Sequence, residues 1–316
     1  MAGIVISRLA SALPILLLVS LITFAMIHLI PGDPAVVIAG LSATPEQVAN
    51  IRHDLGLDQP FLTQLWRWYV GLLHGNLGRS LLLGQPVVQA TMLRLPVTLA
   101  LSAYALVITL LLGLGSGIIA ALRQNSWADQ AAMVFAMIGI SLPNFYLGLL
   151  MIIVFAVELR WLPTGGYVAF TDDPLGWLAT STMPAISLAL LLVGFLARIT
   201  RSTMLEVLRQ DYIRSARAKG LPQRQVVVKH ALANALIPIT TVIGITVSLL
   251  ISGSVVTETL FSLPGMGQLL TQAVLNRDYP MVQGGLLITT ALLVLVNIGV
   301  DVCYALVDPR VRYDGA

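Results

Sequence analysis

Six apolar stretches, each long enough to cross a lipid bilayer as a helix, run through this chain at approximately residues 9–30, 96–122, 131–159, 183–199, 239–256 and 281–306. A hydrocarbon core about 30 Å thick takes roughly 20 apolar residues at about 1.5 Å each. Inside it no backbone N–H or C=O can go unpaired, so a spanning segment is a helix or part of a closed barrel. Continuous apolar runs, without polar alternation, select the helix. The expected fold is all-α: a polytopic membrane protein of six transmembrane helices, organised as a single domain over 1–316.

Composition agrees. Hydrophobic residues make up 57% of the chain and charged residues only 10%, which leaves too little polar surface to coat a water-soluble globule. The net charge of +3 points to nucleic acid or to an anionic membrane surface, and the cations fall between the apolar runs, which favours the membrane. A single cysteine, Cys303, within the last run, permits no internal disulfide and no cysteine-rich metal site. The first run, flanked by Arg8, is too long for a usual signal-peptide core and lacks a small-x-small site directly after it, so it reads as a retained anchor.

The cations also orient the chain. With the N-terminus in the cytoplasm, the inner segments hold Arg8, Arg123, Arg198, Arg201, Arg209, Arg214, Arg217, Lys219, Arg224, Lys229, Arg310 and Arg312, which is 12 of the 18 Lys and Arg residues. The positive-inside rule then places both termini in the cytoplasm. Residues 31–95 become a long external loop, whose Trp66, Trp68 and Tyr69 suit either a helix lying at the headgroups or a small external core. Residues 201–238 become a long cytoplasmic segment.

That segment opens with RSTMLEVLRQDYIRSARAKG, where Leu205, Leu208, Tyr212 and Ala216 recur at helical spacing among arginines. Gly220 supplies a left-handed stop, and Pro222 suits the first turn of a second helix running to Pro238. A basic helix-turn-helix bent at Leu221 follows. Its charge suits anionic lipid headgroups, and its small residues Ala216, Ala218 and Gly220 suit the close approach of a partner protein; composition leaves both readings open.

At ARAKGL followed by KHALANALIP the segment resembles the coupling loop of permeases in binding-protein-dependent ABC importers, in particular the dipeptide, oligopeptide and nickel branch. Ala216 and Gly220 match the family motif, whereas Arg214 and Ser215 stand where it has Glu and Ala, and Ala233 where a proline often closes it. Six further strings look like that branch in its order: LIPGDPA, LGLDQP, GNLGRS, GISLPNF, NRDYPMVQG and DPRVRY. The resemblance thus covers nearly the whole chain. It implies a type I ABC importer permease fold, a homologous second permease, two cytoplasmic ATP-binding subunits that grip the coupling segments, and an extracytoplasmic solute-binding protein that delivers cargo in the inner membrane. No cofactor is implied. Peptides are the leading cargo, with nickel, glutathione and other small solutes carried by relatives.

The sequence contains no G-x-x-x-x-G-K-[ST] phosphate loop, so nucleotide chemistry would reside on another chain. On the resemblance, Asp211, Ala216, Arg217, Lys219 and Gly220 are the expected contacts with the ATPase. Asp301, toward the inner end of the sixth run, is expected to pair with Arg198 or Arg201 at the inner end of the fourth. Glu258, with Arg277 and Asp278, is expected at the external mouth or on a solvated rim. Asn144, beside Pro143, accompanies either a broken helix lining a cavity or an ordinary proline kink. His28 and His53 lack partners at helical spacing, and no metal site or catalytic group is expected. An ion-coupled secondary transporter is the alternative function, but no set of deep intramembrane carboxylates and no inverted repeat supports it. Catalysis has still less support, since Ser141 and the histidines share no motif.

Overall fold

The computed structural model describes residues 2–29, 35–36, 43–54 and 56–307. The strings at 308–313 and most of that at 29–35 lie outside the described residues, as do the side chain of Cys303 and residues Arg310 and Arg312. Among the described residues the chain folds into the helices α1 (Ala2–Leu29), α2 (Pro45–Asp54), α3 (Phe61–Leu73), α4 (Val87–Leu122), α5 (Trp127–Ser141), α6 (Asn144–Glu158), α7 (Pro174–Leu208), α8 (Asp211–Ala218), α9 (Gln223–Leu260), α10 (Met266–Leu275) and α11 (Tyr279–Val307). Among the described residues, five helices carry an apolar stretch long enough to cross a membrane, and α5 with α6 makes a sixth candidate bent by 103°.

The expected runs are located correctly, but the helices outgrow them. Those containing the second, fourth and fifth runs begin at Val87, Pro174 and Gln223, because polar and proline residues are accommodated within them. Pro14, Pro96, Pro184 and Pro238 all lie inside helices. Pro238 therefore does not separate a surface helix from the fifth span. Its missing donor is tolerated where neighbouring turns readjust, and just upstream residues Val226–Leu232 are wound as a π-helix.

The chain divides into two compact units interleaved in sequence: residues 1–5, 97–264 and 296–316, and residues 6–96 and 265–295. In the second unit Leu77, Val87, Ala90, Met266, Leu269, Ala273 and Met281 form the core. Asp278 is its polar anchor. Its carboxylate accepts from Leu82 N at 3.1 Å, Met281 N at 3.3 Å and the Ser80 hydroxyl, so it both caps α11 and holds the 80–83 turn. The expectation of a solvated rim fails here, because Asp278 is buried and only Arg277 is exposed.

The aromatics of helix α3 divide between contacts to α1 and an exposed face. Trp68 lies 5.6 Å from the Phe24 ring and 5.2 Å from Tyr69, whose hydroxyl meets Ser20 Oγ at 2.8 Å. Leu62, Trp66 and Leu73 face outward instead. Upstream, His53 Nδ1 stands 3.0 Å from Asp58 Oδ2, and that contact holds the Asp58 carboxyl below the usual carboxylate range.

The first unit is built around α7. Its N-terminal half packs through Met183, Leu188 and Leu192 against Val97 and Leu101 of α4, Met151 of α6, Leu250 of α9, and Phe261. Its C-terminal half packs through Leu196 and Met204 against Val226, Ala235 and Ile239. Helices α7 and α9 therefore run antiparallel, the end of one beside the start of the other.

This arrangement decides what the bent pair does. The start of α5 is tied to Arg201, near the end of α7. Beyond α6, Gly166 N bonds the Phe261 carbonyl just past the end of α9, the end that lies by the first half of α7. The α5–α6 pair thus travels from one end of the α7–α9 bundle to the other, as a broken span and not as a loop that returns. Of the two readings of Pro143, a broken helix or an ordinary kink, the structure has a break in the third span. Pro143 and the extended Leu142 interrupt it between two helical limbs.

Candidate functional site

The segment between α7 and α9 is the most unusual polar feature of the first unit. Its first expected helix is broken: α7 ends at Leu208, Gln210 adopts an extended ψ of 149°, and α8 starts at Asp211. The break rotates the buried stripe. Ile213 and Ala216 face inward, one turn apart, into a core made by Met204, Val226, Val227 and Ala231, whereas Tyr212 is exposed.

The α8 helix closes as the glycine predicts. Lys219 N bonds Ser215 O, Gly220 N bonds Arg217 O at 2.9 Å, and Gly220 takes a φ of +77°. That conformation costs an L side chain about 1–2 kcal/mol. Open space surrounds the position where a Cβ would stand. The chain then turns through Leu221 and Pro222 into α9, whose π-helical stretch directs Val226, Val227 and Ala231 beneath α8.

Of the residues expected to meet a partner, Asp211, Arg217, Lys219 and Gly220 are exposed, and Ala216 is not. The Ala216 methyl packs inward, so the bare approach expected over three small residues is open only at Ala218 and Gly220. Six cations against two carboxylates occupy residues 206–229, which makes the surface strongly basic. The Arg214–Asp211 contact, 3.4 Å and largely solvated, contributes little to order.

A residue pair not singled out from the sequence lies behind this surface. Arg201 donates to Asp129 through Nε at 2.6 Å and Nη2 at 2.7 Å, and Asn125 N donates to the same carboxylate at 2.9 Å. Asp129 is only 4% exposed. Arg201, expected opposite Asp301, is thus engaged at Nε and Nη2 by a carboxylate from the start of α5. Arg198 is exposed and Asp301 half-buried on α11. The sequence carried one hint: Ser126 and Asp129 have the spacing of a helix-start signal, and Ser126 Oγ does accept from Asp129 N.

Two other expected positions also take definite places. Asn144 opens α6 immediately after the break, with Oδ1 accepting from Phe145 N at 2.8 Å. Glu258 is fully buried near the end of α9, where Thr98 Oγ1 donates to its Oε1 at 2.7 Å. The solvated mouth expected for Glu258 is corrected. The chain turns sharply after α9, with Phe261 and Leu263 buried and Leu263 N on the Glu258 carbonyl, and the carboxyl is shut in.

Comparison with known proteins places these features in context. Residues 113–313 match the family model described as binding-protein-dependent transport system inner membrane component, and residues 1–102 match the N-terminal model of such membrane components. A Brucella abortus protein named as a peptide transport system permease is 51% identical over 99% of this chain and 100% of its own length. The dipeptide transport system permease of Alkalihalophilus pseudofirmus is 39% identical, covering 97% of this chain and 98% of its own. The glutathione transport system permease of Escherichia coli is 40% identical, covering 99% and 100%. Among solved structures, a chain of the inward-facing MetNI methionine ABC transporter aligns with a TM-score of 0.58 at 20% identity, covering 70% of this chain and 97% of that one. That last likeness concerns the fold.

Proposed function

This chain belongs to the family of inner membrane components of binding-protein-dependent transport systems, and from that membership we propose that it is one permease subunit of an ABC importer that moves di- and oligopeptides. A homologous second permease completes the pathway, two cytoplasmic ATP-binding subunits drive it, and an extracytoplasmic binding protein delivers cargo. The names of the relatives, peptide, dipeptide and glutathione permeases, support a peptide cargo.

The chain is a multi-pass inner-membrane protein. Both termini and the 209–222 segment face the cytoplasm in this reading, in keeping with the distribution of its arginines. ATP hydrolysis belongs to the partners, because this sequence has no phosphate-binding loop of its own.

The observation that carries the proposal is the build of α8: a short helix anchored from beneath by Ile213 and Ala216, with Asp211, Arg217, Lys219 and Gly220 outward. An element packed in this way moves with the bundle when it is pulled. Closure of the ATP-binding subunits would displace α8, and α7 and α9, which flank it directly, would carry the displacement into the membrane. Asn144, at the break in the third span, is the polar group placed to meet cargo, and Asp301 with Arg198 remains the candidate intramembrane pair.

The test is made on the complex purified through this tagged chain, which should bring two ATP-binding subunits and a second permease. Gly220→Leu should insert and assemble normally, since space is open around the residue, yet lower ATP-driven peptide uptake about tenfold, through roughly 1–2 kcal/mol of backbone strain and a side chain projecting from the docking face. Gly220→Asn tolerates positive φ and should retain most uptake. Normal uptake by the leucine variant would refute the docking role.

A further inference from the structure

Helices α5 and α7 are joined at two levels. At the first, glycines let the backbones touch: a Cβ on Gly139 would fall 2.6 Å from the Leu190 carbonyl oxygen, and one on Gly194 would strike the carbonyl of Ala136. At the second, Arg201 forks the Asp129 carboxylate. The paired positions, 139 with 190, 136 with 194 and 129 with 201, advance in opposite directions along the two helices, so they describe one antiparallel register.

Mechanically, the two levels do different work. The glycine crossing alone is a pivot, about which one helix can swing on the other. The fork lies seven residues farther along α7, about 10 Å of helix, and a second attachment at that distance removes the swing. Bidentate geometry fixes angle as well as distance. The carboxylate is itself pre-set by Asn125, whose φ of 63° turns its N–H toward Asp129. Beyond Arg201 only two turns of α7 remain before Leu208 and α8. At its other end α5 stops at Ser141, at the break before Asn144.

An ion pair with one partner buried, here Asp129, and the other half-buried, here Arg201, adds little net stability over apolar residues of the same shape, so its use has to be sought in the geometry that it imposes. We infer that Asp129 and Arg201 are positioning residues that lock α5 to α7 into one lever, so that displacement of the 209–222 segment reaches the break at 142–143 and is not lost as swinging between the two helices. This rests on the reading of α8 as the ATPase dock.

The experiment uses the complex co-purified from native membranes and reconstituted in liposomes, with labelled di- to pentapeptides as probe, and measures peptide accumulated per ATP hydrolysed. Asp129→Asn should lower that ratio about tenfold and Arg201→Lys, which keeps the charge and loses the fork, about threefold or more, with hydrolysis itself within about twofold of wild type. The double variant should be no worse than Asp129→Asn alone, because one contact is lost once. A ratio unchanged in both single variants, or uptake and hydrolysis falling in parallel, overturns the inference. If Asp129→Asn does not assemble, Arg201→Lys decides by the same two outcomes. Peptide accumulation by the wild-type complex without ATP would overturn the importer reading itself, which the variants alone would not.

Discussion

A carboxyl group brought out of water has to be given donors in exchange. Glu258 receives the Thr98 hydroxyl from a residue 160 positions away, and Asp129 receives Arg201 from 72 positions away. Taking one donor away from a buried carboxylate costs about 1–3 kcal/mol. Thr98→Val preserves the shape of the side chain and removes only the hydroxyl, so the purified protein should lose about that much stability, seen as a fall of a few degrees in Tm. Thr98→Ser should melt close to wild type, and equal melting of the two variants would show that Glu258 does not rely on this donor. What the sequence conveyed about these carboxylates was their position near helix ends. Their surroundings were hidden, because helical spacing relates residues three or four apart and says nothing about a partner on another helix. Gly220 is the opposite case. Positive φ is a local demand that glycine meets by lacking a Cβ, and the stop at that residue was legible from the string alone.

At the scale of elements, apolar length located every span, since the bilayer imposes that length directly. Helix ends were less legible. Proline reads as punctuation in water, whereas Pro96, Pro184 and Pro238 sit inside continuous helices here, and Pro143 accompanies a 103° turn. The sequence around Pro143 offered a kink or a broken helix, and what separates them is whether neighbouring helices hold the two limbs apart. Gly139 and Gly194 belong to that hold. Gly139→Ala forces a methyl against the Leu190 carbonyl and should destabilise the protein by about 1–3 kcal/mol as α5 is pushed off α7. Gly115→Ala on α4, where a Cβ meets nothing within 4 Å, should be neutral or stabilising by about 0.5–1 kcal/mol, through the better helix propensity of alanine. Thermal unfolding in one detergent measures both. A similar loss at the two positions would mean that the cost comes from replacing glycine in a helix and not from the close crossing.

For the whole molecule, the count of crossings fixes which side of the membrane each segment occupies. Among the described residues, five candidate spans and the α5–α6 pair give either five or six crossings, and the difference inverts everything after residue 158. If the pair crosses, an N-terminus in the cytoplasm puts residues 209–222 and the C-terminus there too; if it returned, both would emerge on the far side and the proposed dock would face no ATPase. Two contacts favour crossing: Asp129 binds Arg201 near one end of α7, and Gly166 N binds the Phe261 carbonyl near the other end of the bundle. The arginines favour it independently, since the basic segment then lies on the side that retains positive charge. With Cys303 replaced by serine, a cysteine introduced at exposed Ser215 should react with a membrane-impermeant maleimide only in inverted vesicles or broken cells. One at exposed Thr171, between α6 and α7, should react in intact spheroplasts. The reversed pattern, Ser215→Cys labelled in intact spheroplasts and Thr171→Cys only in inverted vesicles, would mean that the bent pair returns without crossing, and the proposed coupling role of α8 would fall with it.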